Sequence, residues 1–309
     1  MSAQTLVNHP NHQSLDTCLE SLILEVDALI SSYLASVDEL SKGQRNIAEQ
    51  AARYHLDTPG QKVRARLCLL ACQKLNVNHH DMLILSAVAE LMHNASLIHD
   101  DIQDRDDIRR GRETVWKKFG TDIAICAGDL LISAAYGMLA NLSDSKALPS
   151  LISKLSSRTA SVMNGQCHDI EYKQYPSNSL DVYLDIAKAK SGALLSLPIE
   201  LALIASGNKQ FLDVAVQATQ AFAVGYQMVD DLNDIAKDAT NHAGAKSLNI
   251  VFVLADAGIK SSVNESTALA NQYLSEAIRL AKQLPYEIGE LLVDYAVRLQ
   301  GQIVHVIEQ

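Results

Sequence analysis

Two short acidic runs are the residues of this chain best placed to do chemistry. Asp100-Asp101-Ile102-Gln103-Asp104 and Asp230-Asp231-Leu232-Asn233-Asp234 both read DDxxD. With 23 aspartates in 309 residues, chance supplies about 0.1 such motifs per chain and a pair only about 0.01. On a helix the first and last aspartates stand at i,i+4 and the second and last at i,i+3. The spacing therefore predicts all three carboxylates on one face. Such like charges call for a cation, and oxygen donors without a Cys or His triad favour Mg²⁺ over zinc or copper. Mg²⁺ takes few protein carboxylates and fills its shell with water and substrate phosphate. Two facing clusters are expected to hold a diphosphate through bridging metals.

Cations stand where such a diphosphate needs them. Arg109 and Arg110 follow the first cluster in a segment ending at Gly111, and Lys190 sits in Ala187-Lys188-Ala189-Lys190-Ser191-Gly192. Lys246 lies twelve residues past the second cluster, and Arg64 and Arg66 open a helix after Pro59-Gly60.

The elements that must position these groups are helices. Leu19, Leu22, Ile23, Val26, Leu29 and Ile30 form one stripe at helical spacing, continued by Leu34 and Val37. Further stripes run over 61–75, 81–103, 122–141, 146–174, 180–206, 209–238, 261–283 and 286–306. Caps are expected at Ser14, Asp81 and Asn208. Strand-like alternation is absent except in a short patch at 250–253, which reads as easily as a buried helical turn. Breaks at 57–60, 109–113, 143–145, 175–179 and 238–245 are too short for interdomain linkers. One all-α domain over residues 1–309 is expected.

Composition narrows the class. The chain carries 48% hydrophobic and 20% charged residues, enough apolar material for a sizeable core, with a net charge of -10. That acidity argues against nucleic acid as a partner, since binding phosphate backbones requires basic surface. Five cysteines include no CxxC; Cys68 and Cys72, one turn apart, are expected to be core thiols. The start carries no signal-peptide pattern. The longest uncharged stretch, 214–229, contains three glutamines and falls short of the ~18–20 apolar residues of a membrane span. A cytoplasmic, non-membrane-spanning protein is expected.

Taken together, these segments resemble the trans-prenyl diphosphate synthase, or polyprenyl synthetase, family over nearly the whole chain. SLIHDDIQDRDDIRRG looks like its first aspartate-rich motif and GYQMVDDLND like its second. AELMHNASLIHDD, NGQCHDI and KAKSGALL resemble the intervening family segments. The resemblance implies an all-α bundle of the isoprenoid synthase type around a central cavity, usually a homodimer. It implies Mg²⁺-dependent, head-to-tail condensation of isopentenyl diphosphate with an allylic prenyl diphosphate, using three metal ions. On this reading Asp100 and Asp104 hold two metals with Asp101 as orienting neighbour. Asp230 holds the third, with Asp231 and Asp234 acting through water or hydrogen bonds. Arg109, Lys190 and Lys246 grip the allylic diphosphate. Gly60, Arg64, His93 and Arg110 grip isopentenyl diphosphate, and Ser191 and Gln227 face the developing carbocation.

One segment departs from the family. Its isopentenyl site reads GKRxRP, whereas this chain has Gly60-Gln61-Lys62-Val63-Arg64-Ala65. Gln61 stands where lysine is expected, which makes a terpene cyclase or lyase on the same fold a competing reading. A non-catalytic partner subunit fits less well, because both aspartate motifs are whole. In the family, product length is set by residues before the first motif. Ala95 and Ser96 are small, and Met92 and Val88 lie about 12 Å and 18 Å below Asp100 at helical rise. Geranylgeranyl diphosphate is the expected product, with longer quinone-tail chains as the alternative.

Overall fold

A computed structural model describes residues 10–36, 46–240 and 248–307. Lys246 and Val37 lie outside the described residues. The helices are α1 (Pro10–Ser36), α2 (Ile47–Leu56), α3 (Val63–Lys74), α4 (His79–Asp104), α5 (Val115–Phe119), α6 (Thr121–Leu139) and α7 (Leu148–Gln174). They continue as α8 (Leu180–Ala187), α9 (Ala193–Ala205), α10 (Leu212–Asn233), α11 (Ile235–Thr240), α12 (Ile250–Asp256), α13 (Ser262–Ala281) and α14 (Glu290–Ile307). The all-α expectation holds. The only strands among the described residues are β1 (Ile108–Arg109) and β2 (Arg112–Glu113), two residues each. The 250–253 patch is helix, the start of α12.

The chain divides into two compact units, one from residues 1–73 and 78–145 and the other from 74–77 and 146–309. Each has its own aspartate cluster. In the first, α4 packs along α6 and α1, and α2 along α6. Asn78, not Asp81, caps α4. Its Oδ1 accepts the Asp81 N–H at 2.9 Å and its Nδ2 donates to Asp81 Oδ2 at 2.8 Å, a reciprocal cap at the first turn. Asp81 Oδ1 also accepts the Ser143 N–H, tying this start to the residues after α6. Ser14 lies inside α1, not at its start, and Asn208 precedes a 3₁₀ turn without a side-chain cap bond.

In the second unit α10 packs along α13, and α7 along α9. Gly225 lets α10 approach Leu274, whose side chain would stand 2.8 Å from any added Cβ. Glu200, fully buried on α9, accepts from Arg158 at 2.6 and 2.7 Å, from Lys154 at 2.9 Å and from Ser196 at 2.9 Å. A carboxylate so surrounded stays ionised in the core.

By length and composition alone, α4 and α6 are each apolar enough to cross a membrane, contrary to the expectation from the uncharged stretch at 214–229. Within the first unit they pack against one another, and 72% of the apolar window of α4 is buried.

Candidate functional site

Both aspartate clusters close a helix. Asp104 is the last residue of α4, and Asp234 follows α10 as its C-cap, its N–H bonded to Asp230 O at 3.0 Å. A helix C-terminus carries the negative end of the macrodipole, so each cluster adds carboxylates to an already negative site. The attraction for a cation is greater than spacing alone implied.

The expectation that all three carboxylates share a face needs correction. Asp100 is half-buried and Asp104 exposed, whereas Asp101 is 1% exposed. Asp230 is exposed and Asp234 half-buried, whereas Asp231 is 4% exposed. A helix turns about 100° per residue, which swings the second aspartate of each motif inward. Asp101 Oδ1 accepts from Arg109 Nε at 2.7 Å and Nη2 at 2.6 Å. Its Oδ2 is buried without a hydrogen-bond partner among the described residues. Burial pushes its carboxyl up, and Arg109 opposes that. Asp231 accepts from Tyr183 Oη at 2.8 Å, Gln227 Nε2 at 2.8 Å and the Ile250 N–H at 2.9 Å. Burial raises its carboxyl to about 7 despite these three donors. The inner aspartates therefore anchor each cluster while the outer ones present oxygen.

The Arg-Arg-Gly segment is a hairpin. Arg109 pairs with Arg112 and Ile108 with Glu113, so Arg110 and Gly111 are the two turn residues, at φ 51° and 77°. Two positive φ angles define the turn type that matches strand twist, and Gly111 adopts its own at no steric cost. Arg110 does not, and such strain in a non-glycine residue is characteristic of functional loops. Tyr54 of α2 braces the hairpin, donating its hydroxyl to Glu113 O at 2.9 Å while the Arg112 guanidinium lies 4.4 Å over its ring.

Around this hairpin the first unit gathers four residues expected to bind isopentenyl diphosphate. Arg110 rests so close to Gly60 that any Cβ there would displace its guanidinium. The half-buried His93 imidazole is held well below its ordinary range by burial, then by Arg64 and Arg110. Lys62, beside Gln61, is engaged by α1. It adopts φ 50° and donates to Asp27 Oδ1 at 2.8 Å. Ala65, where the family has proline, keeps an N–H that Glu90 Oε2 accepts at 3.4 Å. A Gln61→Lys change is therefore expected to lower the Michaelis constant for isopentenyl diphosphate several-fold, about 1 kcal/mol as the difference between a charge-assisted bond and a neutral amide's. An unchanged constant in steady-state kinetics would place the cation requirement elsewhere.

In the second unit Lys190 belongs to a π-helical turn, Lys188–Gly192, between α8 and α9. Such single-turn bulges re-aim side chains at functional positions. Its Nζ donates to Asp169 Oδ2 at 2.9 Å. Gly165 of α7 permits this arrangement: a Cβ there would lie 2.7 Å from the Lys190 N. Beside it Gln166 is 6% exposed, with neither amide atom partnered among the described residues. Ser191 is half-buried in the same turn, and the Gln227 amide bonds Asp231. Tyr183, Asn249 and Asp169 were missed in the sequence. Asn249 donates to Asp231 O and to Asp238 Oδ2, each at 2.9 Å.

The donor set suits Mg²⁺: hard carboxylate oxygens, one of them orphaned in the interior. No three His, Cys, Asp or Glu side chains among the described residues gather into a cage, and Mg²⁺ does not require one when substrate phosphate completes its shell.

Two acidic helix ends and clustered cations are groups whose chemistry suits metal ions and phosphates. The polyprenyl synthetase pattern matches residues 45–247, and the chain belongs to that family. It is 29% identical over 220 residues to a short chain isoprenyl diphosphate synthase of Methanocaldococcus jannaschii, covering 71% of this chain and 64% of the relative. It is 30% identical over 220 residues to a geranylgeranyl diphosphate synthase of Methanosarcina mazei, covering 70% and 68%. The match thus spans about two-thirds of these relatives. The crystal structure of geranylgeranyl pyrophosphate synthetase from Pyrococcus horikoshii shares the fold, with a TM-score of 0.78 at 21% identity over 93% of this chain and 99% of that one.

Proposed function

We propose that this chain condenses isopentenyl diphosphate with an allylic prenyl diphosphate, head to tail. The doubled aspartate arrangement carries the reading: two helix C-termini, each with outward carboxylates and one inner carboxylate pinned by hydrogen bonds. Asp100, Asp104, Asp230 and Asp234 would hold Mg²⁺, three ions by family resemblance. Bound Mg²⁺ supplies charge stabilisation to a departing diphosphate. Arg109, Lys190 and Lys246 bind the allylic diphosphate, and Arg64, His93 and Arg110 orient isopentenyl diphosphate. Apolar helix walls exclude water from the developing allylic cation. Both substrates are small diphosphates, and the partner is a second copy of the chain. The apolar window of α6 is only 44% buried, leaving Ile125 exposed on an apolar face. The free thiols suit a cytoplasmic setting.

Incubation with labelled isopentenyl diphosphate, Mg²⁺ and each allylic primer tests the activity. Extended prenyl diphosphates support it. Cyclised products without isopentenyl uptake would make the protein a cyclase, and inertness until a partner is added would make it a subunit.

We propose geranylgeranyl diphosphate as the product. Among the relatives are farnesyl and nonaprenyl synthases as well as geranylgeranyl ones, so the argument rests on α4. Ala95, Met92 and Val88 are buried below Asp100, and Ser96 turns its hydroxyl back to His93 O at 2.8 Å. Small groups at 95 and 96 leave the tail room to run deeper. Ala95→Phe is expected to shorten the main product to farnesyl length, read by chromatography. An unchanged distribution would show that the tail does not pass this position.

A further inference from the structure

His55, near the end of α2, belongs to no segment that carries the family resemblance. It is 6% exposed, and its Nε2 is buried with no hydrogen-bond partner among the described residues. The side chain of Asn94 of α4 lies beside the ring. Asn94 in turn donates its amide to Glu90 O at 2.8 Å and Glu90 Oε1 at 3.1 Å. With that amide spent on donation, its oxygen is the group left to face the ring, and a proton on Nδ1 would leave a lone pair on the orphan Nε2. A buried nitrogen left without a partner costs stability and asks for an explanation.

The surroundings supply one. Arg109 and Arg110 of the hairpin and Lys62 of the turn before α3 all bear on this ring, and His93 of α4 is its neighbouring imidazole. Glu90 reaches it only through Asn94. Lys62 is itself paired to Asp27 of α1, while α6, packed along α2, turns Asp122 and Asp129 to solvent. On the far side of the hairpin, Arg112 and Lys118 lie over Tyr54. Burial first, and then the two arginines, hold the imidazole down to about 4, so it is neutral in the free protein. An anion entering among these cations offsets their share of that depression and favours the charged ring.

We propose that His55 Nε2 is a further contact of the isopentenyl diphosphate site, taking up a solvent proton as the diphosphate enters and standing in for the lysine missing at position 61. The inference rests on the function proposed above. The proton comes from bulk buffer and ends on Nε2; no covalent bond of the substrate changes. The charge exists only when the ligand is present, so the free protein need not bury a charged imidazole beside these cations.

Calorimetry of isopentenyl diphosphate binding, in buffers of unequal ionisation heat, counts the protons. The wild type is expected to take up more protons than His55→Asn, by close to one below pH 7. Its affinity advantage over that variant should shrink by up to about tenfold per pH unit across the range where that uptake is close to one, and level off where the uptake vanishes. Asparagine keeps the Asn94 contact and lacks Nε2. His55→Gln places a neutral amide near Nε2 and is expected to recover part of the affinity with none of the extra uptake. If the asparagine variant does not fold, the glutamine proton count decides alone. Proton uptake equal in wild type and variants overturns the inference while extension of a primer leaves the function standing. Absence of both binding and extension in the wild type removes the two together.

Discussion

Replacing Asp100 or Asp230 by alanine is expected to lower turnover at saturating Mg²⁺ by at least about 10²-fold, because each removes an outward metal-facing carboxylate from a negative helix end. The comparison that gives this meaning lies a few residues away. Asp107 bonds Lys117 at 2.9 Å on the surface. Asp106 does its structural work through its backbone oxygen, which accepts from Thr114 Oγ1 at 2.7 Å and Trp116 Nε1 at 2.8 Å. Alanine at 106 or 107 is expected to leave turnover near wild type, since exposed pairs contribute little. Steady-state rates across a Mg²⁺ titration, with thermal melts to confirm folding, decide the matter. Wild-type turnover in either cluster variant would remove the two-cluster mechanism.

The second large effect is expected from a residue with no side chain. In Gly165→Ala the new Cβ would meet Lys190 N at 2.7 Å and Ala189 C at 2.8 Å. Backbone cannot yield as a flexible side chain does, so α7 or the π turn must move. Overpacking of this kind costs about 1–3 kcal/mol, against about 1 kcal/mol that alanine returns as a better helix former. The clash wins, and the displaced Lys190 should raise the allylic Michaelis constant by about tenfold or more, as loss of a charged contact costs about 1.5–3 kcal/mol. A melt and a constant both unchanged would mean that the two segments separate freely.

Much of this site was legible because its signals are local. A DDxxD spacing, a pair of arginines before a glycine and a lysine in an apolar helix can be read without knowing what packs where. Hidden from such reading was anything settled by distant contacts. Tyr183 and Asp231 meet across 48 positions, Asn249 and Asp231 across 18, and Lys190 and Asp169 across 21. Nothing in the neighbourhood of Tyr183 announces a carboxylate partner. The inward turn of Asp101 and Asp231 could have been read, since 100° per residue excludes three aspartates at 1, 2 and 5 from a single narrow face. Apolar stripes found the long helices, while α5 and α12, of five and seven residues, were too short for periodicity to register.

Arg109 on Asp101 and Lys190 on Asp169 are the same device built once in each unit: a phosphate-seeking cation already holding a carboxylate of its own chain. Any visiting anion must displace a tethered rival whose effective concentration no free solute matches. A monophosphate or a metabolite carboxylate brings one weak claim and loses that contest. On the proposed function a diphosphate arriving with its metal would bring several at once, and the aspartate it would evict from Arg109 neighbours the residues proposed to hold that metal. On that function, resting self-pairing would act as a threshold against the common anions around it.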